Sequence, residues 1–190
     1  MNLIKITNGR LSQNCYILAN ENKAFIIDPG LDTEKILGVL NQKKLEPVAV
    51  LLTHGHFDHI FSSAKLKSLG AKIYISEVDA PKLFDNELNM GFIHNIDTEK
   101  VVPDGFLVEG ENEIEGEKFE ILFTPGHTSG SVVIIKGDQI FTGDTYFEEG
   151  IYGRTDLLDG HQDLLVESLK KLKPYLKGKK IRAGHEWCKI

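Results

Sequence analysis

With 41% hydrophobic and 26% charged residues, this 190-residue chain has the make-up of a soluble globular protein, and enough length for one domain with a sizeable core. A net charge of −6 argues against a nucleic-acid partner, which needs a basic face, and the longest apolar run, residues 48–52, is far too short for a membrane span. No signal peptide is apparent, and Cys15 and Cys188 stand at opposite ends without a disulfide framework, so a cytoplasmic protein is expected.

Taken in order, 3–7 and 13–19 read as strands joined by a turn at Asn8-Gly9, with Cys15 a buried thiol in the second. A third strand, 24–27, ends at Asp28-Pro29-Gly30. Asp28 has two readings there, a turn former or a partner that orients a ligand histidine. Asp32 or Thr33 caps a helix with Ile36, Leu37 and Leu40 on one face. Residues 48–52 form a continuous apolar strand, as expected when both faces are covered. A helix over 60–69 should turn Ile60, Phe61, Ala64 and Leu69 inward and stop at Gly70; a strand follows at 72–75. The stretch 77–103 is broken by Pro81, Asn86, Asn89 and Gly91, and reads as a helix plus a long loop over the site. Strands return at 106–108, 117–123, 131–136 and 139–142. A helix over 161–175 buries Leu165, Leu169 and Leu172, and a last strand spans 179–183. The repeated order of strands, helix and ligand-bearing strand end suggests two packed sheets with helices outside.

The chemistry concentrates at the end of the fourth of these strands, in Thr53-His54-Gly55-His56-Phe57-Asp58-His59. In an extended segment His54 and His56 point the same way, while Asp58 and His59 turn with the backbone to address a second point nearby. Three further ligand-type residues each follow a predicted strand: His127 in Thr124-Pro125-Gly126-His127, Asp144 in Thr142-Gly143-Asp144, and His185 in Ala183-Gly184-His185. Singly these are weak signals, since Gly-Asp after a strand is usually only a turn. Their common placement at strand ends is what joins them to the first cluster. His94 and His161 lack ligand neighbours and read as a loop histidine and part of a helix start.

These motifs resemble the metallo-β-lactamase fold and, within it, the short glyoxalase II-like proteins, over Asp28 to His185. The resemblance implies an α/β architecture, a four-layer αββα sandwich, without the C-terminal helical domain that carries much of the glutathione contact in full-length glyoxalase II. It implies that His54, His56 and His127 hold one metal, that Asp58, His59 and His185 hold a second, and that Asp144 bridges them. Asp58 is then catalytic through the metal-bound hydroxide. Five imidazoles and two carboxylates suit two divalent ions, with zinc first and iron or manganese as alternatives. The expected reaction is attack of the bridging hydroxide on a small thioester such as S-lactoylglutathione, whose thiolate, of pKa about 8.5, leaves without strong acid help.

Gly153-Arg154-Thr155-Asp156 resembles a segment shared with persulfide dioxygenases. A mononuclear iron enzyme of that kind, using His54, His56 or His127 and Asp144-type ligands, is therefore the rival expectation. Arg154 either fixes its loop by pairing with a carboxylate or meets an anionic substrate. Tyr146 and Tyr152 flank the loop as lining candidates, with ordinary packing as the alternative. Zinc β-lactamases commonly place Cys where Asp144 stands, which argues against that activity. Cys188 has no apparent base and is not expected to act as a nucleophile. The partner is a small-molecule thioester, and the oligomeric state is left open.

Overall fold

The computed structural model describes residues 1–9 and 11–186. Among the described residues, eleven strands form two sheets. The first runs in the order β1 (Asn2–Asn8), β2 (Gln13–Asn20), β3 (Lys23–Ile27), β4 (Glu46–Leu51), β5 (Lys72–Ser76), β6 (Gly105–Leu107). Its β1–β3 pairs are antiparallel, and β3 to β6 are parallel. The second sheet has the order β11 (Lys180–Ala183), β10 (Gln139–Gly143), β9 (Val132–Lys136), β8 (Glu117–Phe123), β7 (Gly110–Ile114), with only β10 and β11 parallel.

Side-chain alternation builds the layers. Along β3, Ala24 and Ile26 face the helices α1 (Thr33–Lys43), α2 (Phe57–Ile60) and α3 (Ser63–Ser68), whereas Phe25 and Ile27 face the second sheet. Along β9, Val132 and Ile134 meet them between the sheets, and Val133 and Ile135 pack towards α4 (Gln162–Leu176) through Leu172. Helix, sheet, sheet and helix thus enclose three apolar layers. That is the αββα sandwich, and it explains why the central strands are apolar at every position.

Several boundaries differ from expectation. The helix read over 60–69 is two pieces, α2 and α3, interrupted at Phe61-Ser62, and Leu69 is 48% exposed rather than inward. Phe61 and Ala64 are half-buried, as is Leu169 in α4, where Leu165, Ser168 and Leu172 form the buried face. The ladder breaks where Ser62 N–H donates to the Pro29 carbonyl at 3.3 Å instead of to the preceding turn. Strand β7 escaped the pattern because its inward positions are Asn112 and Ile114: a buried Asn, held by Val108 and Gly110, breaks the apolar alternation. The stretch 77–103 holds no α-helix, only short 3₁₀ turns at Ala80–Leu83 and Phe92–His94. Cys15 is buried and unpaired, as expected, and burial raises its thiol far above the ordinary value. No helix among the described residues is long and apolar enough to cross a membrane. Cys188 lies outside the described residues.

Candidate metal centre

The two sheets converge at one edge. Val132 N–H donates to the Thr53 carbonyl at 2.8 Å, tying β9 to the end of β4, and Gly184 N–H donates to the Gly143 carbonyl at 2.8 Å, tying β11 to β10. Every strand-end motif singled out above therefore opens at the same place. His54, His56 and His127 offer donor atoms within 4.8 Å of one another, as do Asp58, His59 and His185, and as do His54, His59 and Asp144. Asp144 reaches both groups, with Oδ1 3.5 Å from His59 Nε2, and Oδ2 3.5 Å from His127 Nε2 and 3.3 Å from His185 Nε2. Asp58 Oδ2 stands 3.3 Å from His185 Nε2.

Hydrogen bonds at the far side of each ring decide which nitrogen faces inward. His127 Nδ1 donates to the Arg154 carbonyl and His185 Nδ1 to the Leu11 carbonyl, both at 2.8 Å. His59 Nδ1 donates to Asp28 Oδ2 at 3.0 Å. Each leaves Nε2 turned to the centre, with His59 Nε2 3.2 Å from His185 Nε2. Asp28, buried with φ of +49°, is at once a turn residue and a ligand orienter, because it also accepts from Thr53 N–H at 2.8 Å and the Thr53 hydroxyl at 2.6 Å. Substituting Asp28→Asn should weaken metal binding at the Asp58–His59–His185 group by about 10–100-fold, as measured by chelator competition, since the amide presents a weaker acceptor to His59.

The donor set fits metal ions. Six buried side-chain polar atoms among the described residues lack a hydrogen-bond partner, and two of them, His54 Nε2 and Asp144 Oδ1, belong to the converging set, in which His56 presents Nδ1, 3.0 Å from His127 Nε2. Orphaned buried donors and acceptors are costly, so their clustering with lone pairs converging asks for cations. The electrostatics divide the cluster in two. Burial pushes His54 far down and His56 to about 3, helped by the neighbouring imidazoles, so both are neutral bases. Burial also opposes charge on His185 and His59, but Asp144 and Asp58 outweigh it, holding His185 up to about 11 and raising His59. Burial likewise works against the charge on Asp144, yet His185 and His59 keep that carboxyl well below its usual range.

Close approach explains the flanking glycines. Gly143 has φ of +49° beside Thr53, and an added Cβ at Gly184 would collide with Asp144 Oδ1 and His59 Cε1. Gly184→Ala should therefore displace Asp144 and lower metal content, and should cost about 1–3 kcal/mol in stability by overpacking, read by denaturant titration of the metal-free protein.

The centre forms the floor of a cleft of about 780 Å³ walled by Leu11, Phe57, Met90, Phe147, Tyr152 and Leu157. Tyr152 lines it, whereas Tyr146 packs against the cluster of Leu122, Val133, Ile135, Ile140 and Leu172. Arg154 makes a bidentate pair with Asp156 at 2.7 and 2.6 Å, and it is its main-chain carbonyl that serves the centre. His161 starts α4, its N–H on the Gly126 carbonyl, and takes no part in the cluster. His94 is an exposed loop residue, yet it reaches the cleft rim by stacking on Phe57 at 4.8 Å. Sequence reasoning missed Phe57, Met90 and Leu157 as cleft walls, since a single apolar residue in a loop or at the start of a one-turn helix carries no signal of which surface it will face.

The sequence profile of the metallo-β-lactamase superfamily matches residues 8–185. A "Probable metallo-hydrolase YqgX" of Bacillus subtilis is 35% identical over 184 residues, 93% of this chain and 86% of that one. A "Hydroxyacylglutathione hydrolase GloC" of Haemophilus influenzae is 37% identical over 195 residues, 97% and 91%. Among solved structures, the BLEG-1 B3 metallo-beta-lactamase superposes with a TM-score of 0.90 at 32% identity, covering 98% of this chain and 92% of that one. TTHA1623 in a di-iron-bound form follows at 0.86 and 32%, covering 97% and 92%, and ETHE1 from Myxococcus xanthus at 0.81 and 26%, covering 100% and 78%. With its ligand-type side chains gathered at one sheet edge and nearly its whole length matched, the chain belongs to the metallo-β-lactamase superfamily of metal-binding hydrolases.

Proposed function

We propose that the protein is a dinuclear metal hydrolase of small thioesters, with S-lactoylglutathione as the representative substrate. His54, His56 and His127 would hold one ion and Asp58, His59 and His185 the other, with Asp144 between them. The observation that carries this reading is the convergence of these donors, His54 Nε2 and Asp144 Oδ1 among them orphaned, on the floor of an open cleft. The hydroxyacylglutathione hydrolase similar at 37% identity supports the substrate class. When bound, such ions acidify a water molecule and polarise a carbonyl. The chain's own part is to orient and to exclude. Asp28 and the Arg154 and Leu11 carbonyls lock the imidazoles in the productive tautomer. The apolar walls from Phe57, Met90 and Leu157 seat the substrate and keep bulk water away from the carbonyl. In the overall reaction the acyl carbon gains the water oxygen and the C–S bond breaks. The sulfur leaves as thiolate, which at a pKa of about 8.5 needs no dedicated acid.

A mononuclear iron persulfide dioxygenase is the second reading, favoured by the similarity to ETHE1 over the whole of this chain. Metal analysis of the purified protein, together with S-lactoylglutathione hydrolysis and oxygen uptake with glutathione persulfide, separates the two. Thioester turnover with two metals per chain is expected; oxygen consumption with one iron would replace the hydrolase reading. A cephalosporin as third substrate tests the lactam hydrolysis of the similar B3 enzyme, whose amine leaving group, unlike a thiolate, must be protonated.

A further inference from the structure

A buried group of charges lies beneath the cleft floor, and nothing above assigns it a role. Asp79 follows β5 with its side chain wholly buried, and Lys82, one turn on, is only 7% exposed. Asp79 Oδ2 accepts from Gly55 N–H and from the Thr128 hydroxyl, each at 2.8 Å. Its Oδ1 accepts from Gly130 N–H at 3.0 Å and from Lys82 Nζ at 2.7 Å. Gly55 sits between His54 and His56, and Thr128 follows His127. One carboxylate therefore grips both chain segments that carry the first histidine group, one from each half of the molecule.

The packing around it leaves little slack. A Cβ at Gly130 would stand 2.5 Å from Asp79 Oδ1, and one at Gly55 would stand 2.6 Å from Lys82 Cβ. Lys82 also donates to Asp159 Oδ2 at 3.0 Å, which accepts Ser129 N–H at 3.0 Å. Each Asp79 oxygen accepts two bonds and Lys82 bridges two carboxylates, as a buried pair requires, but a well-packed apolar pair in place of Asp79 and Lys82 would hold the fold about as well. What apolar side chains could not do is hold Gly55 and Thr128 in a set relation to each other through one acceptor.

We propose that Asp79, neutralised by Lys82, is the positioning residue of the first metal group: it sets His54 and His56 against His127, as Asp28 sets His59. This rests on the dinuclear reading above.

Zinc affinity by chelator competition tests it in two backgrounds. In His185→Ala, where the first group remains complete, Asp79→Asn should weaken binding by about 10–100-fold, since the amide puts a donor against donors. In His56→Ala, where Asp58, His59 and His185 remain, the same substitution should change affinity by less than about threefold, as expected for a site it does not touch. Equal losses in both backgrounds would reduce Asp79 to a general structural residue, and no loss in the first would overturn the proposal. If Asp79→Asn shows no cooperative thermal transition, Thr128→Val, which removes one of the two bonds to Oδ2, takes its place with the same two outcomes read. Failure of the unsubstituted chain to bind zinc would sink the dinuclear reading and this proposal together, whereas normal binding there with no selective loss sinks the proposal alone.

Discussion

Replacing Asp58 with alanine should lower thioester hydrolysis by more than about 100-fold, beyond what loss of a merely orienting partner costs. Asp58 Oδ2 lies 3.3 Å from His185 Nε2 and 3.9 Å from His59 Nε2, so its removal strips the second group of its own carboxylate and leaves Asp144 as the one carboxylate of the cluster facing both Nε2 atoms. Metal content should fall from two ions per chain to one, with the His54–His56–His127 group still loaded. A persulfide dioxygenase with one iron held by that group and Asp144 should tolerate the substitution. The paired measurement, metal per chain and turnover on each substrate, discriminates because the two readings disagree on both. Activity retained with one metal would sink the two-metal hydrolase.

Removing the metal should abolish turnover, and the route back should depend steeply on pH. Without metal, His185 is held up to about 11 and His59 is also raised, so at neutral pH protons occupy the second group. Reloading must displace them, so apparent affinity should rise with pH by about tenfold per unit for each proton released. The stability of the metal-free protein carries the opposite sign over the same range. A raised folded-state value stabilises fully below the ordinary histidine value of 6.5, and that gain declines as pH rises towards about 11. Below 6.5 the depressed His54 and His56 work against folding, because the unfolded chain takes up protons that these buried rings refuse. The thermal midpoint of the stripped protein should therefore peak near pH 6.5 as far as this cluster decides it, and His185→Ala should flatten the alkaline limb. A midpoint that climbs steadily from pH 6.5 to 10 would contradict the described charge arrangement.

Much of this was legible in the chain because strands and ligand motifs have short-range signatures. The apolar runs at 48–52, in β3 and in β9, and a histidine or aspartate close after a strand need no tertiary information to be recognised. Their convergence could be inferred because a sandwich aligns strand ends at its edges. Other features depend on which distant segment comes to lie alongside. Glu77-Val78-Asp79-Ala80-Pro81 opens the broken stretch 77–103, and nothing within it announces that Asp79 will meet Gly55 and Thr128. Asp28 was ambiguous until His59 came within 3.0 Å of it. Residue type and local spacing pointed to the candidate ligand set and the layered fold of this protein. Only the tertiary structure decided which carboxylates grip the ligand-bearing loops, that Tyr146 packs against the cluster of Ile140 and Leu172 while Tyr152 lines the cleft, and that Arg154 serves His127 through its backbone, since hydrogen bonds and burial belong to pairs of segments rather than to either one.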